Sequence, residues 1–134
     1  MPAINLGGWH SLIRKEVIIM ENTFELVHVG INTNSPEEAA QLAELLCGLF
    51  NLAPKHGNKS EFAGPYFECM KEPFLGTNGH IAMRTADLTA AVEELKAKGF
   101  SFNMDTAAYN DEGKLKNIYL AGEFGGFAIH ILQK

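Results

Sequence analysis

The strongest constraint on this chain is that it carries one short pattern twice. His28-Val29-Gly30-Ile31-Asn32-Thr33 leads into a helix opening at Ser35. Gly79-His80-Ile81-Ala82-Met83-Arg84-Thr85 leads into a second helix opening near Asp87. His80 follows His28 by 52 residues, and the same offset sets Thr85 on Thr33 and Ala91 on Ala39. A strand-helix unit repeated at such a period implies two copies of one small βαβ-type module, each unable to bury its apolar face alone. Any function then depends on where the two strand histidines point.

At 134 residues and 46% hydrophobic content the chain has room for one domain with a single core. A net charge of −5 and a pI near 5.5 argue against nucleic acid or an anionic membrane as partner, because phosphates need a basic face. The longest candidate apolar run, Val17-Ile18-Ile19-Met20, falls far short of the roughly 20 residues of a membrane helix, which predicts a soluble chain. Arg14, Lys15 and Glu16 interrupt the start and do not suit a signal peptide. Cys47 lies in a helical apolar stripe and Cys69 in a strand. Two such thiols read as reduced and buried rather than catalytic, which fits a cytoplasmic protein.

Residues 1–22 form an extension in which Trp9, Leu12, Ile13, Val17 and Met20 share one face of a short helix. His10 falls in it and has no assigned role. The domain proper is expected over 23–134, with module one at 23–73 and module two at 78–134. Phe24 to Asn32 alternates: Val27, Val29 and Ile31 on one face, His28, Gly30 and Asn32 on the other. Ser35, Pro36 and Glu38 open the helix as cap, first turn and capping box. Ala39, Leu42, Ala43, Leu46, Leu49 and Phe50 make its buried stripe. Three short extended pieces follow, near Ala53–Lys55, Ser60–Ala63 and Tyr66–Lys71, with breaks at Gly57-Asn58 and Gly64-Pro65. In the third, Phe67 and Cys69 oppose Glu68 and Met70, and a carboxylate so placed needs a partner. Module two repeats the plan. Ile81 and Met83 face the helix, while His80, Ala82 and Arg84 face away. Asp87 caps, Leu88, Ala91, Val92 and Leu95 pack, and Gly99 ends the helix. Strands are expected at Phe100–Asn103, Leu115–Ala121 and Phe127–Leu132, the last with Ala128, His130 and Leu132 turned from the helices.

Four residues thus share one property: His28, Glu68, His80 and His130 each occupy the helix-averted face of a strand. A lone strand histidine is ordinarily a hydrogen-bonded structural residue, but four in equivalent places of a duplicated unit are not independent. Three imidazoles and one carboxylate suit a divalent Zn, Fe, Mn, Co or Ni ion. His56, in a Lys55-His56-Gly57-Asn58 turn, reads as a solvated loop residue.

With these positions in hand, residues 24–134 resemble the vicinal oxygen chelate superfamily, which includes glyoxalase I, extradiol dioxygenases and bleomycin-resistance proteins. The resemblance implies an α+β fold of two paired βαβββ modules forming a cupped mixed sheet, with metal ligands on the first and last strand of each module. His28, Glu68, His80 and His130 match those places. Gly126-Phe127-Ala128-Ile129-His130-Ile131 resembles the family's Gly-aromatic-x-Ile-Glu-Leu ending, except that His130 stands where the superfamily usually has the glutamate that can move protons. Glu68 is left as the only carboxylate of the set. Phe62-Ala63-Gly64, Phe67-Glu68-Cys69-Met70-Lys71, Leu75-Gly76 and Gly79-His80-Ile81-Ala82 also resemble a domain fused behind bacterial 2-keto-3-deoxy-6-phosphogluconate (4-hydroxy-2-oxoglutarate) aldolases. Gly8-Trp9 through Val17 is similar to the closing helix of such a barrel. The barrel itself is absent from this sequence, so the aldolase's Schiff-base chemistry does not carry over.

Three functions from different classes follow. The first is a metal-dependent lyase or isomerase acting on a small oxo or hydroxy acid or aldehyde. Glu68 would be ligand and base, and Arg84, on the same strand face as His80, would meet a substrate carboxylate or phosphate. Oxygenation is the least expected reaction, because the usual iron triad takes its two histidines and one carboxylate from other positions. The second is a metal-free binding module of the bleomycin-resistance type, a dimeric crevice lined by Phe62, Tyr66, Phe74, Phe102 and Tyr109. The third is an accessory domain docking on an aldolase through Trp9, Leu12 and Ile13. The resemblance further implies a homodimer.

Overall fold

A computed structural model describes residues 22–134. The expected N-terminal helix and its apolar face lie outside the described residues. Ten elements follow in order: β1 (Phe24–Asn32), α1 (Pro36–Phe50), β2 (Pro54–His56), β3 (Ser60–Ala63), β4 (Phe67–Met70), β5 (Gly79–Thr85), α2 (Leu88–Ala97), β6 (Phe102–Tyr109), β7 (Leu115–Leu120) and β8 (Phe127–Gln133). They make one eight-stranded mixed sheet in the order β2-β3-β4-β1-β5-β8-β7-β6, with the two modules meeting edge to edge where β1 pairs antiparallel with β5. Inside each module the first strand pairs in parallel with the last, β1 with β4 and β5 with β8. This is an α+β fold of paired βαβββ modules.

Both helices begin where their caps predict. Ser35 Oγ accepts the Glu38 amide at 3.1 Å, and the Glu38 carboxylate reaches back to the Asn34 amide at 3.0 Å. Asp87 accepts the Ala90 amide at 3.1 Å. Helix α2 stops at Ala97, with Gly99 in the left-handed region at φ 96°. Helix α1 presses Ala39 and Ala43 on Ala63 and Cys69 of the sheet, with Leu42, Leu46 and Phe67 around them. Helix α2 presses Leu88 and Val92 on Ile118, Leu120 and Ile131. A fully buried Leu88 or Ile118 each contributes roughly 1.5–3 kcal/mol, enough to fix which face of the sheet the helices cover. Burial pushes the Cys69 thiol up to about 11, so it is an inert packing group; Cys47 is half-buried, and both are free thiols.

Leu49 and Phe50, expected in the buried stripe of α1, are instead exposed in its last turn, and two strands also differ from the expectations. Strand β6 runs on to Tyr109 rather than stopping at Asn103, and its pairing with β7 shifts between Asn103 and Ala108. The Thr106 hydroxyl holds that irregularity, donating to the Asn103 carbonyl at 2.6 Å and accepting the Tyr119 amide at 2.9 Å. A stretch held by a side chain shows no alternation to read. His56 lies in strand β2 rather than a turn; its ring is exposed and bonded to Glu61 at 2.5 Å.

Candidate metal centre

Strand register sets the site. Gly30 of β1 faces Glu68 across β4 on one side and His80 across β5 on the other. One step along the same face, His28 faces Ala82, which faces His130 on β8, which faces Tyr119 on β7. Large functional side chains thus alternate with small ones: Gly30, the fully buried Ala82, and Ala128, which pairs with His80. The small residues leave floor space over which the larger ones lean together.

Gly30 is the clearest case. A Cβ built there would lie 2.0 Å from His80 Cε1, 2.3 Å from Nδ1 and 2.6 Å from Nε2. The His80 ring therefore lies across the place where any other residue would put its side chain, and that carries its Nε2 toward Glu68. Gly79 makes the matching close approach. It sits at φ 148°, where a Cβ would come 1.8 Å from the Gly30 carbonyl oxygen.

The outcome is a nearly equilateral triangle of donor atoms. His28 Nε2 to His80 Nε2, His28 Nε2 to Glu68 Oε1 and His80 Nε2 to Glu68 Oε1 are each 3.1 Å. An ion at about 2.1 Å from each corner would subtend roughly 95° between ligands, close to the 90° of one octahedral face. Protons satisfy this triangle poorly. Glu68 Oε1 can accept an N–H from each imidazole, but the two donors then face one another at 3.1 Å. A divalent cation taking a lone pair from all three satisfies them together. The donor set fits a metal ion, and His28, Glu68 and His80 form a candidate metal-binding triad.

The surroundings support that charge state. Burial alone would raise Glu68, but hydrogen bonds from His28, His80 and Ser60 outweigh it and hold the carboxyl well below the usual carboxylate range. The Ser60 hydroxyl donates to the second oxygen, Oε2, at 2.9 Å, which leaves Oε1 for the triangle. His80 is almost wholly buried and its Nδ1 has no hydrogen-bond partner. Packing over Gly30, with an edge-on contact to Tyr119, orients this ring.

Of the four expected ligands, three converge. His130 lies beside them, its ring centroid 6.5 Å from that of His80 and stacked on Tyr119 at 4.2 Å and 5°. Its nitrogens lie outside the triangle, and its buried Nε2 has no partner. Burial, then the neighbouring His80 and His28, pull it down to about 4, so the ring is neutral with a free lone pair at pH 7. Burial pushes the Tyr119 phenol up to about 12 and keeps it a proton donor. Arg84, expected to meet a substrate anion, stands exposed near the far end of β5. It lies 3.4 Å from Glu25 and is not among the residues lining the cavity. That cavity, of about 240 Å³, is lined by His28, Lys59, Glu68, Met70, Phe74, His80, Tyr119 and His130. Of the aromatic residues proposed for a binding crevice, Phe74 lines it and Phe62 meets the His28 ring edge-on at 6.0 Å. Phe102 instead packs on the helix-side core.

Sequence reasoning did not single out Ser60, Tyr119 or Lys59, and Gly30 was only part of a motif. Their roles depend on register across strands, which one strand's alternation does not contain. A glycine two residues after a strand histidine, on the same face, was the one available signal.

The architecture, two paired βαβββ modules joined in one mixed sheet, is one found among solved structures. No protein-family model and no curated protein matches the sequence. Among solved structures, the chain is similar to methylmalonyl-CoA epimerase from Mycobacterium tuberculosis. They share 17% identity over 81% of this chain and 86% of that one, with a TM-score of 0.51. It is also similar to hypothetical protein BH1468 from Bacillus halodurans C-125, at 18% identity over 84% and 95% of the two chains and a TM-score of 0.55. At these identities the likeness is one of fold. No helix among the described residues is long and apolar enough to cross a membrane.

Proposed function

We propose that this chain is a metal-dependent glyoxalase-like protein, a lyase or isomerase acting on a small oxo or hydroxy acid or aldehyde. The observation that carries the reading is the 3.1 Å triangle of His28, His80 and Glu68 at the floor of a cavity. A divalent ion held there would polarise two adjacent substrate oxygens and offset negative charge developing on them. His130 is the fourth ligand in this reading. Its ring is neutral, and its buried Nε2 has no hydrogen-bond partner to compete with an ion.

Glu68 carries the proton. As a ligand, it has its Oε1 lone pair engaged by the ion; detached from it, Glu68 would be a free carboxylate able to accept a proton from the substrate. Tyr119, protonated and stacked in the same wall, donates a hydrogen bond toward substrate oxygen. Met70 and Phe74 keep bulk water from the substrate's carbon skeleton.

A second reading, oxygenation on Fe(II), draws on one specific feature. The three atoms that converge are two imidazoles and one carboxylate, the donor set of a facial iron triad. Metal identity separates the two. We further read the protein as cytoplasmic and homodimeric, with the exposed Leu45, Leu49 and Phe50 of α1 as an apolar surface a second copy could cover. A link to keto-deoxy sugar acid metabolism, or to an aldolase partner, rests on sequence resemblance.

The test is elemental analysis of protein purified without chelator or affinity nickel, beside the variant His80→Ala. The expected result is about one divalent metal per chain in the parent and its loss in the variant. Metal content unchanged by His80→Ala would overturn the site.

A further inference from the structure

The cavity contains one lysine, and it is not neutralised. Lys59 lines the cavity beside Glu68 and Met70, and no carboxylate pairs with it among the described residues. The neighbouring cations are committed elsewhere. Lys71 bonds the Gly57 carbonyl at 2.8 Å and lies 3.6 Å from Glu61, Lys55 sits over the Phe62 ring, and Arg84 and Lys134 share Glu25. The backbone fixes Lys59 in place. Its carbonyl accepts the Lys71 amide at 3.0 Å, and the next residue, Ser60, is tied to Glu68. An exposed ammonium on a flexible stem thus stands at the mouth of the site, in a chain whose net charge is −5.

We propose that Lys59 anchors a second anionic group on the substrate, so that the site takes small 2-oxo or 2-hydroxy acids whose far end bears a carboxylate or a phosphate. This rests on the metal reading above and adds the substrate class to it. Charge supports it: a divalent ion less the Glu68 carboxylate leaves one positive charge at the floor, and Lys59 adds a second at the rim. A dianion cancels both, whereas a neutral aldehyde leaves Lys59 unanswered. Size supports it too. About 240 Å³ is the liquid volume of roughly eight waters, enough to hold an acid of about ten heavy atoms.

The test uses the full chain loaded with Co²⁺ and titrated calorimetrically with matched probes. Oxalate reports the metal alone. 2-Oxoglutarate against 2-oxovalerate isolates a distal carboxylate, and 3-phosphoglycerate against glycerate isolates a distal phosphate. At least one charged probe is expected to bind about tenfold tighter than its uncharged match, a preference that falls as salt is raised. Lys59→Met should bring the pair within twofold and Lys59→Arg should keep the preference, while oxalate binds all three proteins alike. The pair that responds tells carboxylate from phosphate. A preference that survives Lys59→Met, or none in the parent while oxalate binds, overturns the role of Lys59. Oxalate failing to bind the Co²⁺-loaded parent overturns the metal reading and this one with it.

Discussion

Gly30→Ala is the sharpest perturbation the site offers, because it adds one methyl and nothing else. Gly30 is not among the positive-φ glycines, so its backbone accepts alanine, and an extended strand favours alanine over glycine. The conflict is wholly with the His80 ring, whose Cε1 lies 2.0 Å from the new Cβ. Carbon atoms settle near 3.5 Å, so the ring must withdraw by about 1.5 Å. A metal–ligand bond tolerates deviations of about 0.2 Å, so His80 is lost from the triangle even where the fold absorbs the strain. Overpacking of this kind costs roughly 1–3 kcal/mol of stability, an amount a domain survives. Metal affinity should fall at least 10–100-fold, the range seen when only the support of a ligand is removed. Competition with a chelating dye gives the affinity, and circular dichroism melting confirms the fold. Gly48→Ala is the control: nothing lies within 4 Å of its Cβ position, it is helical, and it should gain about 0.5–1 kcal/mol with no change in metal binding. A folded Gly30→Ala protein holding metal as tightly as its parent would refute the reasoning that the glycine exists to seat His80.

Three further outcomes follow from the same geometry. Ser60→Ala removes the donor to Glu68 Oε2 and should weaken metal binding about tenfold in the dye competition; an unchanged affinity would mean the hydroxyl does not orient the ligand. In chelator, the parent should lose stability as pH falls from about 6.5 to about 4. There the unfolded chain protonates His130 and the folded one does not, so stability rises with pH; below about 4.5 the depressed Glu68 acts in the same direction. His130→Phe should flatten the upper part of that slope in melting scans, and a slope of parental steepness would show that His130 is not its source. Arg84→Ala should change melting by no more than about 0.5 kcal/mol and leave probe binding intact, since Glu25 keeps Lys134; weakened 2-oxoglutarate binding would return the anion site to Arg84.

Much of the architecture was legible because each signal was local. Alternation in Val27–Ile31 and Phe127–Ile131 fixed which faces met the helices. Ser35 with Glu38, and Asp87, fixed where the helices began. The 52-residue offset of two histidines then implied two copies of one module. The same alternation placed His28, Glu68, His80 and His130 on the helix-averted face, and the structure puts all four along one cavity. Which of them touch was not legible. Contact depends on which strands are neighbours and in what register, and that made Gly30 the common neighbour of Glu68 and His80. The length of β6 was hidden for a related reason, since Thr106 supplies by side chain what alternation would have announced.

The two halves of the site also explain why three ligands meet while the fourth lies aside. Register makes Gly30 and Ala82 equivalents, each two residues from a histidine on its own strand and each opposite the last strand of its module. Glu68 and His130 are therefore equivalents too. At Gly30 the absent methyl lets the His80 ring sink until its side chain is 4% exposed; at Ala82 the methyl is present and the facing His28 stays at 17%. The deep ring draws the centre toward module one, where Ser60 fixes Glu68. In module two the residue opposite His130 is Tyr119, which stacks on the imidazole and holds it to the wall instead of directing it inward. A duplicated fold supplied four equivalent places. One missing methyl and one aromatic neighbour make three of them a triangle and leave the fourth beside the cavity that Lys59 borders.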